Sequence, residues 1–207
     1  MELGQILPWQ APSNNTNSAL VGTISVTPIY NGCIGTAGAF TATIYPTPSV
    51  TNVVLAQTIC SGASTTAVVW TSNIAGATFS WTAVGSSSSV SGFNSSGNGN
   101  LPVLSSLVNS SNVNQTVTFS VVATLNGCLS LPINYVITVL PSPVITLSPN
   151  QTICGGTQTT ISTFSNSVAG GDFSWTLLNP GGIPSSVTGY PTSGIGQIPI
   201  SKINNTG

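Results

Sequence analysis

Four cysteines are the residues of this sequence whose type and spacing could do chemistry. Cys33, Cys60, Cys128 and Cys154 are separated by 27, 68 and 26 residues. The second and the fourth lie in related stretches, QTICSGASTT at 57–66 and QTICGGTQTT at 151–160, which share seven of ten positions. A cysteine in such a setting is either a reactive thiol or part of a repeated structure. The groups that accompany it decide between the two.

The scarcity of titratable side chains elsewhere in the sequence excludes most catalytic chemistry. Only Glu2, Asp172 and Lys202 carry formal charge, and the chain contains no histidine. Proton transfer near neutral pH requires such a group, and a nucleophilic serine requires a base beside it. Zinc requires clustered Cys or His ligands, and calcium requires several carboxylate oxygens. We therefore expect no enzyme activity, no catalytic residue, no metal site and no cofactor.

The low charge also limits the partners. There is no basic patch for nucleic acid or for anionic lipid. The most apolar run, Leu131–Leu147, is interrupted by Pro132, Asn134, Pro141 and Pro143, and a membrane span needs about 20 mostly apolar residues. We expect neither nucleic-acid binding nor membrane insertion.

An internal repeat of about 94 residues organises the chain. Three markers recur at an offset of 94, namely Gln57 with Gln151, Cys60 with Cys154, and FSWT at 79–82 with FSWT at 173–176, and the NGC triplets at 31–33 and 126–128 are 95 apart. The repeat predicts the C-terminal half of one unit at 1–48, a complete unit at 49–142 and the N-terminal part of a further unit at 143–207. We call these the N-terminal, central and C-terminal segments. Because the chain starts within a unit, we expect it to be a window on a longer array, with further units before Met1 and after Gly207.

The predicted boundaries fall at two proline-rich connectors, YPTPSV at 45–50 and LPSPVI at 140–145. Proline fixes φ and lacks an amide donor, so it ends a strand and stiffens a link. We therefore expect stiff connections between the segments.

Alternation of apolar and polar residues predicts strands in the central segment. The apolar positions include Phe79, Trp81 and Ala83, then Val117, Phe119 and Val121, then Tyr135, Ile137 and Val139. Asn126-Gly127 joins two such runs as a tight hairpin requires. About seven short strands in 94 residues predict an all-β chain of tandem antiparallel β-sandwiches, immunoglobulin-like in type.

The aromatic residues and the asparagines have simpler interpretations than binding. Trp81 and Trp175 recur 94 residues apart on an alternating apolar face, as do Trp70 and Phe164, so we expect core packing. Trp9 has no aromatic counterpart and is the one surface-binding candidate. Sequons occur at Asn14, Asn94, Asn109, Asn114, Asn150 and Asn204, and a chain so rich in Asn, Ser and Thr generates them by chance.

Each complete unit has one QTIC cysteine and one NGC cysteine. This regular usage indicates disulfide bonding in an oxidising, extracellular compartment. We predict a disulfide between Cys60 and Cys128, with Cys33 and Cys154 paired outside this window. The same period also allows Cys33 with Cys60 and Cys128 with Cys154, which would join neighbouring units. In a standard sandwich the end of the first strand and the final hairpin lie at opposite ends, which counts against the pair within the unit.

The C-x-G at Cys60 and Gly62, the FSWT strand and the late NGC hairpin before a V-x-V-x-P end resemble the PKD-like, immunoglobulin-like tandem repeats of very large secreted surface proteins of Bacteroidetes. Those proteins include gliding-motility adhesins exported by type IX secretion. The resemblance implies an extracellular or cell-surface location and a non-catalytic stalk or adhesin role. Its implied partners are neighbouring repeats of the same chain, surface glycans or other cell-surface proteins. A self-assembling fibre subunit and a carbohydrate-binding module are the alternatives.

Overall fold

A computed structural model describes residues 13–178 and 186–205 of the 207-residue chain. The regular secondary structure of these residues consists of strands. None of them therefore belongs to a helix long and apolar enough to cross a membrane. The expectation of an all-β fold is confirmed.

The N-terminal segment contains β1 (Leu20–Val26), β2 (Ile29–Tyr30), β3 (Cys33–Ile34) and β4 (Gly38–Ile44). β1 and β4 pair antiparallel over seven residue pairs, from Leu20 opposite Ile44 to Val26 opposite Gly38. β2 and β3 close the tip through Asn31 and Gly32, whose φ angles of 46° and 81° suit a tight turn. We call residues 20–44 the N-terminal hairpin.

The central segment contains eight strands: β5 (Ala56–Cys60), β6 (Thr78–Gly85), β7 (Val90–Ser91), β8 (Ser96–Asn98), β9 (Val108–Asn109), β10 (Gln115–Leu125), β11 (Cys128–Leu129) and β12 (Ile133–Leu140). One sheet has the order β5-β12-β10-β6-β8, and β11 pairs with the end of β10. A second layer combines the β7–β9 pair with bridges between Val50 and Ser72 and between Val68 and Leu101. The result is an immunoglobulin-like β-sandwich.

One pairing corrects the expectation of wholly antiparallel sheets. β5 runs parallel to β12 over five pairs, from Ala56 beside Val136 to Cys60 beside Leu140. These are the first and last strands of the central segment, and the remaining strands connect them. Such a long crossover allows parallel pairing, whereas a tight hairpin enforces the antiparallel kind.

The core of the central segment follows the alternation in the sequence. Val117, Phe119 and Val121 of β10 are fully buried, and the inward residues of β6 and β12 join them: Trp81, Ala83, Tyr135, Ile137 and Val139. Trp70 packs edge-on against Tyr135 with ring centroids 5.6 Å apart, and Trp81 packs in the same way against Phe119 at 5.4 Å. The predicted inward faces and core tryptophans are confirmed here.

The C-terminal segment contains shorter strands: β13 (Ile145–Leu147), β14 (Phe164–Asn166), β15 (Ser174–Thr176), β16 (Val187–Thr188), β17 (Ser193–Ile195) and β18 (Asn204–Asn205). They form three antiparallel pairs, β13–β14, β15–β17 and β16–β18. The β15–β17 and β16–β18 pairs repeat β6–β8 and β7–β9.

The connector before the central segment is packed rather than free. Pro46 and Pro48 are buried. The Ser49 amide donates to Asn73 Oδ1 at 2.7 Å, and Asn73 Nδ2 donates to Asn17 Oδ1 at 3.2 Å. A side chain of the central segment thus holds both the connector and the loop before β1.

Candidate functional site: the repeated cysteine stretch and its surroundings

The stretch at 57–66 is closed by its own first residue. Gln57 lies in β5, and its side-chain amide acts like a short piece of backbone. The Thr66 amide donates to Gln57 Oε1 at 2.9 Å, and Gln57 Nε2 donates to the Thr66 carbonyl at 3.3 Å. The two ends of the motif are therefore bonded to each other.

A glycine turn follows Cys60. Gly62 has φ +82°, a left-handed conformation that favours glycine. The Ala63 amide donates to the Cys60 carbonyl at 3.0 Å, and the Gly62 amide donates to the Leu107 carbonyl at 2.8 Å. The thiol of Cys60 is left exposed at the end of its strand.

The same construction recurs 94 residues later. The Thr160 amide donates to Gln151 Oε1 at 2.8 Å, and Gln151 Nε2 returns a bond to the Thr160 carbonyl at 3.0 Å. Gly156 repeats the turn with φ +80°, and the Thr157 amide donates to the Cys154 carbonyl at 3.1 Å. Gln, Gly and Thr are thus retained between the two stretches because they make this loop.

No disulfide joins any two of the four cysteines, so the predicted Cys60–Cys128 pair is not bonded. The topology gives the reason. Cys60 lies beside Leu140 at one end of the sheet, whereas Cys128 lies opposite Leu125 at the other. β10 separates these ends by about 30 Å at a rise of about 3.3 Å per residue, while bridged cysteines need Cα atoms within about 7 Å.

The inter-unit alternatives are not formed either, since neither Cys33 with Cys60 nor Cys128 with Cys154 is bonded. The external partners expected for Cys33 and Cys154 lie outside the chain, so that pairing stays a prediction.

Tyr135 lies next to the stretch, and the pKa of its phenol is perturbed. Burial raises the pKa of its phenol above the ordinary value, and a hydrogen bond from Gln57 Nε2 at 2.7 Å opposes that rise. The phenol is therefore neutral at physiological pH. Its hydrogen bond with Gln57 links the repeated stretch to β12.

Metal ligands are equally sparse. Within residues 13–178 and 186–205, no three His, Cys, Asp or Glu side chains are grouped closely enough to hold a metal ion. Asp172 and Lys202 are both exposed. Trp9, the predicted surface-binding candidate, lies outside the described residues, as does Glu2.

The tryptophans of the FSWT strands cover glycines, a contact that the sequence reasoning missed. Trp81 lies opposite Gly97 in the β6–β8 pair, and a methyl group at Gly97 would overlap the indole ring. Trp175 covers Gly194 in the same way in β15–β17. A large ring shielding a strand glycine compensates for its missing side chain. The similar sequences SGNG at 96–99 and SGIG at 193–196 are the pattern from which this contact could have been predicted.

Two sequons also have a structural role that the sequence reasoning missed. Asn109 is buried, and its Nδ2 donates to the carbonyls of Val113 at 2.7 Å and Val139 at 2.9 Å. Its Oδ1 accepts from the Ser111 amide at 2.9 Å and the Ser111 hydroxyl at 2.8 Å. Every hydrogen-bonding position of this amide is thus occupied, and the folded protein cannot accept a glycan there.

Asn14 makes the same contacts in the N-terminal segment. Its Nδ2 donates to the carbonyls of Ser18 and Ile44, both at 2.8 Å, and its Oδ1 accepts from the amide and the hydroxyl of Thr16. Asn14 and Asn109 are 95 residues apart. These two sequons are therefore parts of the repeat, and chance does not account for them.

A groove of about 450 Å³ opens in the C-terminal segment. We call it the C-terminal groove. Its apolar walls come from β13, β14, β15 and the loop before β18, through Ile145, Leu147, Phe164, Phe173, Trp175 and Ile198. Its lining carries no charged side chain among the described residues, so it is suited to apolar groups and to backbone pairing rather than to an ionic ligand.

Comparison with known proteins agrees with this construction. No curated protein matches the chain. The family model of the PKD-like domain matches residues 57–143, from the first residue of the repeated stretch to the connector after β12. Residues 57–143 are therefore similar to a PKD-like domain.

Proposed function

We propose that this chain is a non-catalytic spacer, a piece of the stalk of a large bacterial cell-surface adhesin or extracellular filament. The observation that carries the proposal is repetition of structure: the same side-chain clamps, glycine turns and hairpin registers are rebuilt at offsets of 94 to 95 residues. A stalk needs this property because its length grows by adding equivalent modules.

The composition supports the same role. Over residues 3–171 the chain carries no formally charged side chain. Contacts between such modules and their surroundings depend little on ionic strength, because screening acts on charges. A PKD-like domain is consistent with an extracellular location, where salt and pH vary.

The finer assignment rests on the resemblance of the C-x-G, FSWT and NGC motifs to Bacteroidetes repeats. On that assignment, the protein is an adhesin of the gliding-motility type that leaves the cell by type IX secretion. Residues 49–142 are one complete unit, 1–48 and 143–207 are parts of the neighbouring units, and ligand recognition belongs to other parts of the parent protein.

Labelling of intact cells tests the location. Antibodies raised against the 207-residue chain should stain non-permeabilised cells of the source organism, and external protease should remove the stain. Staining that requires permeabilisation would contradict the proposal. A periplasmic marker stained in parallel controls for leakage.

Electron microscopy of the parent protein tests the spacer role. We expect isolated rods whose length increases in proportion to the number of 94-residue units. Compact particles of constant size would contradict a spacer, whereas regular lateral arrays would favour the fibre alternative.

A further inference from the structure

The two cysteines of the central segment lie at opposite ends of its sheet. The chain enters this segment at the start of β5 and leaves it at the end of β12. Cys60 ends β5 and pairs with Leu140, the last residue of β12, so it lies at the exit end. Cys128 pairs with Leu125, which extends β10 past the start of β12, so it lies at the entry end. Each end of the unit therefore has one cysteine.

Cys128 lies at the junction with the N-terminal segment. It lines one cleft together with Ile44, at the end of β4, with Tyr45 next to it, and with Asn73. The hydrogen bonds of Asn73 to the connector and to the loop before β1 hold the two segments together at this cleft. Cys128 is half-buried there, whereas the other three cysteines are exposed. The entry end of the central segment thus places its cysteine against the exit end of the segment before it.

The repeat places the QTIC cysteine of a complete unit at that same exit end. β4 repeats β12 at an offset of 95 residues, and the registers of the β1–β4 and β10–β12 pairs agree throughout. Tyr45 is therefore the counterpart of Leu140, which lies directly beside Cys60 in the parallel pair of β5 and β12. The Ser61 amide donates to the Leu140 carbonyl at 2.9 Å, so this contact continues past the cysteine. A QTIC cysteine beside the position of Tyr45 borders the cleft that Cys128 lines.

We propose that a disulfide crosses each junction of the array and joins the QTIC cysteine of one unit to the NGC cysteine of the next unit. Cys60 bonds to the NGC cysteine of the unit to which residues 143–207 belong. Cys128 bonds to the QTIC cysteine of the unit to which residues 1–48 belong. Both partners are residues of the parent protein outside the 207 residues. The inference rests on the proposed function, which makes this chain part of a longer array.

The staggered pairing differs from the other pairings in the distance that a bond must cross. A bond between Cys60 and Cys128 would have to span the length of one sheet. A bond between Cys33 and Cys60, or between Cys128 and Cys154, would have to join the entry end of one unit to the exit end of the next, across two units. The staggered pair joins an exit end to an entry end across a single junction. Each junction then has two covalent connections, the proline-rich connector and the disulfide, which together limit bending between units.

Forming this bond is an oxidation and needs an electron acceptor. Two thiols lose two protons and two electrons, and one sulfur–sulfur bond forms. The electrons pass to the disulfide of an extracytoplasmic thiol oxidant, which is reduced to a dithiol through a mixed disulfide. The exposed thiol of Cys60 is accessible to such an oxidant. The bond then persists in the oxidising compartment outside the cell.

Peptide mapping of the parent protein, released from intact cells without reductant, tests the pairing. Free thiols are first blocked with N-ethylmaleimide, so that only disulfides of the native protein survive digestion. The cysteine peptides differ between units, with QTICSG and QTICGG for one kind and NGCIG and NGCLS for the other. Mass spectrometry can therefore assign each bond to two units. We expect Cys60 to be linked to an NGC peptide other than those of Cys33 and Cys128.

Replacing one cysteine at a time in the parent protein gives the decisive measurement. Cys60→Ser should release one thiol per molecule, that of the NGC cysteine one unit later, and Cys128 should remain protected from maleimide. Cys128→Ser should release the QTIC cysteine one unit earlier and leave Cys60 protected. Thr58→Ser is the matched control, because Thr58 is exposed two residues before Cys60 on the same strand. It should release no thiol.

Three outcomes would overturn the proposal. The first is maleimide labelling of Cys60 and Cys128 in the native wild-type protein. The second is a peptide that joins Cys60 to Cys128, or either of them to Cys33 or Cys154. The third is release of the Cys128 thiol by Cys60→Ser. Each outcome is compatible with surface staining and with rods whose length grows with the number of units, so failure of this inference is distinguishable from failure of the proposed spacer role.

Discussion

The central and C-terminal segments both contain an FSWT strand, but its tryptophan is fully packed only in the central segment. Trp81 is 6% exposed and packs against Phe119, whereas Trp175, at the same position of the repeat, is half-buried beside an open groove. Both rings nevertheless cover a glycine across the strand pair. The contact with glycine therefore requires only one strand pair, whereas full burial of the ring requires the rest of the sandwich.

The repeated cysteine stretch shows the same division. The Gln57–Thr66 clamp and the Gln151–Thr160 clamp have nearly the same geometry, yet residues 56–60 form a strand and residues 150–154 do not. The difference lies in the neighbour: β5 pairs with β12, and the C-terminal stretch has no such partner among the described residues. Side-chain hydrogen bonds within ten residues form the loop, whereas a strand requires a second strand.

Replacing each of the two tryptophans should give the largest difference in lost stability between the central and C-terminal segments. Trp81→Ala should reduce the free energy of unfolding by about 3–5 kcal/mol, because it removes a large buried ring and leaves a cavity. Trp175→Ala should cost about 1–2 kcal/mol, because part of its surface is already in water. Urea unfolding followed by amide exchange in β10 and β17 separates the two segments. Equal losses would show that the groove is filled in solution.

Replacing the glycines that the two tryptophans cover should give a smaller difference in lost stability between the segments. Gly97→Ala forces the Trp81 ring out of a packed core and should cost about 1–3 kcal/mol. Gly194→Ala makes the same clash, but the Trp175 ring borders open space and can move. We therefore expect a smaller loss in the same unfolding measurement. Gly22→Ala is a suitable control, because nothing lies within 4 Å of the added methyl group.

Alkaline pH should produce the smallest effect. Burial raises the pKa of Tyr135 above its ordinary value, about 10 in an unfolded chain. Above that pH the folded protein binds more protons than the unfolded one, so the free energy of unfolding falls as pH rises, and the full value is present below about pH 10. Tyr135→Phe, which copies Phe40 of the N-terminal hairpin, should show a shallower decline in urea titrations at several pH values.

Much of the fold was readable from the sequence because it depends on local patterns. Alternation identified the inward faces of β6, β10 and β12, and Asn126-Gly127 identified a turn whose φ angles are 49° and 81°. The repeat offset also indicated core roles for Trp70 and Trp81. These features require knowledge of only a few neighbouring residues.

The remaining features depend on how distant strands are ordered. Parallel pairing of β5 with β12 places Cys60 and Cys128 at opposite ends of one sheet, a separation that counting cysteines per repeat does not reveal. The roles of Asn109 and Gly97 come from carbonyls and a ring supplied by other strands. Their recurrence at the repeat offset was visible, but what they contact was not.

The parallel contact between β5 and β12 also determines how this module would respond to a pull. Tension enters the central segment at the start of β5 and leaves at the end of β12. Because the two strands run side by side in the same direction, that force acts along them and loads their five residue pairs together in shear. An antiparallel hairpin pulled at its open end instead breaks one pair at a time. The parallel pairing therefore places strands loaded in shear at the points where the chain enters and leaves the domain.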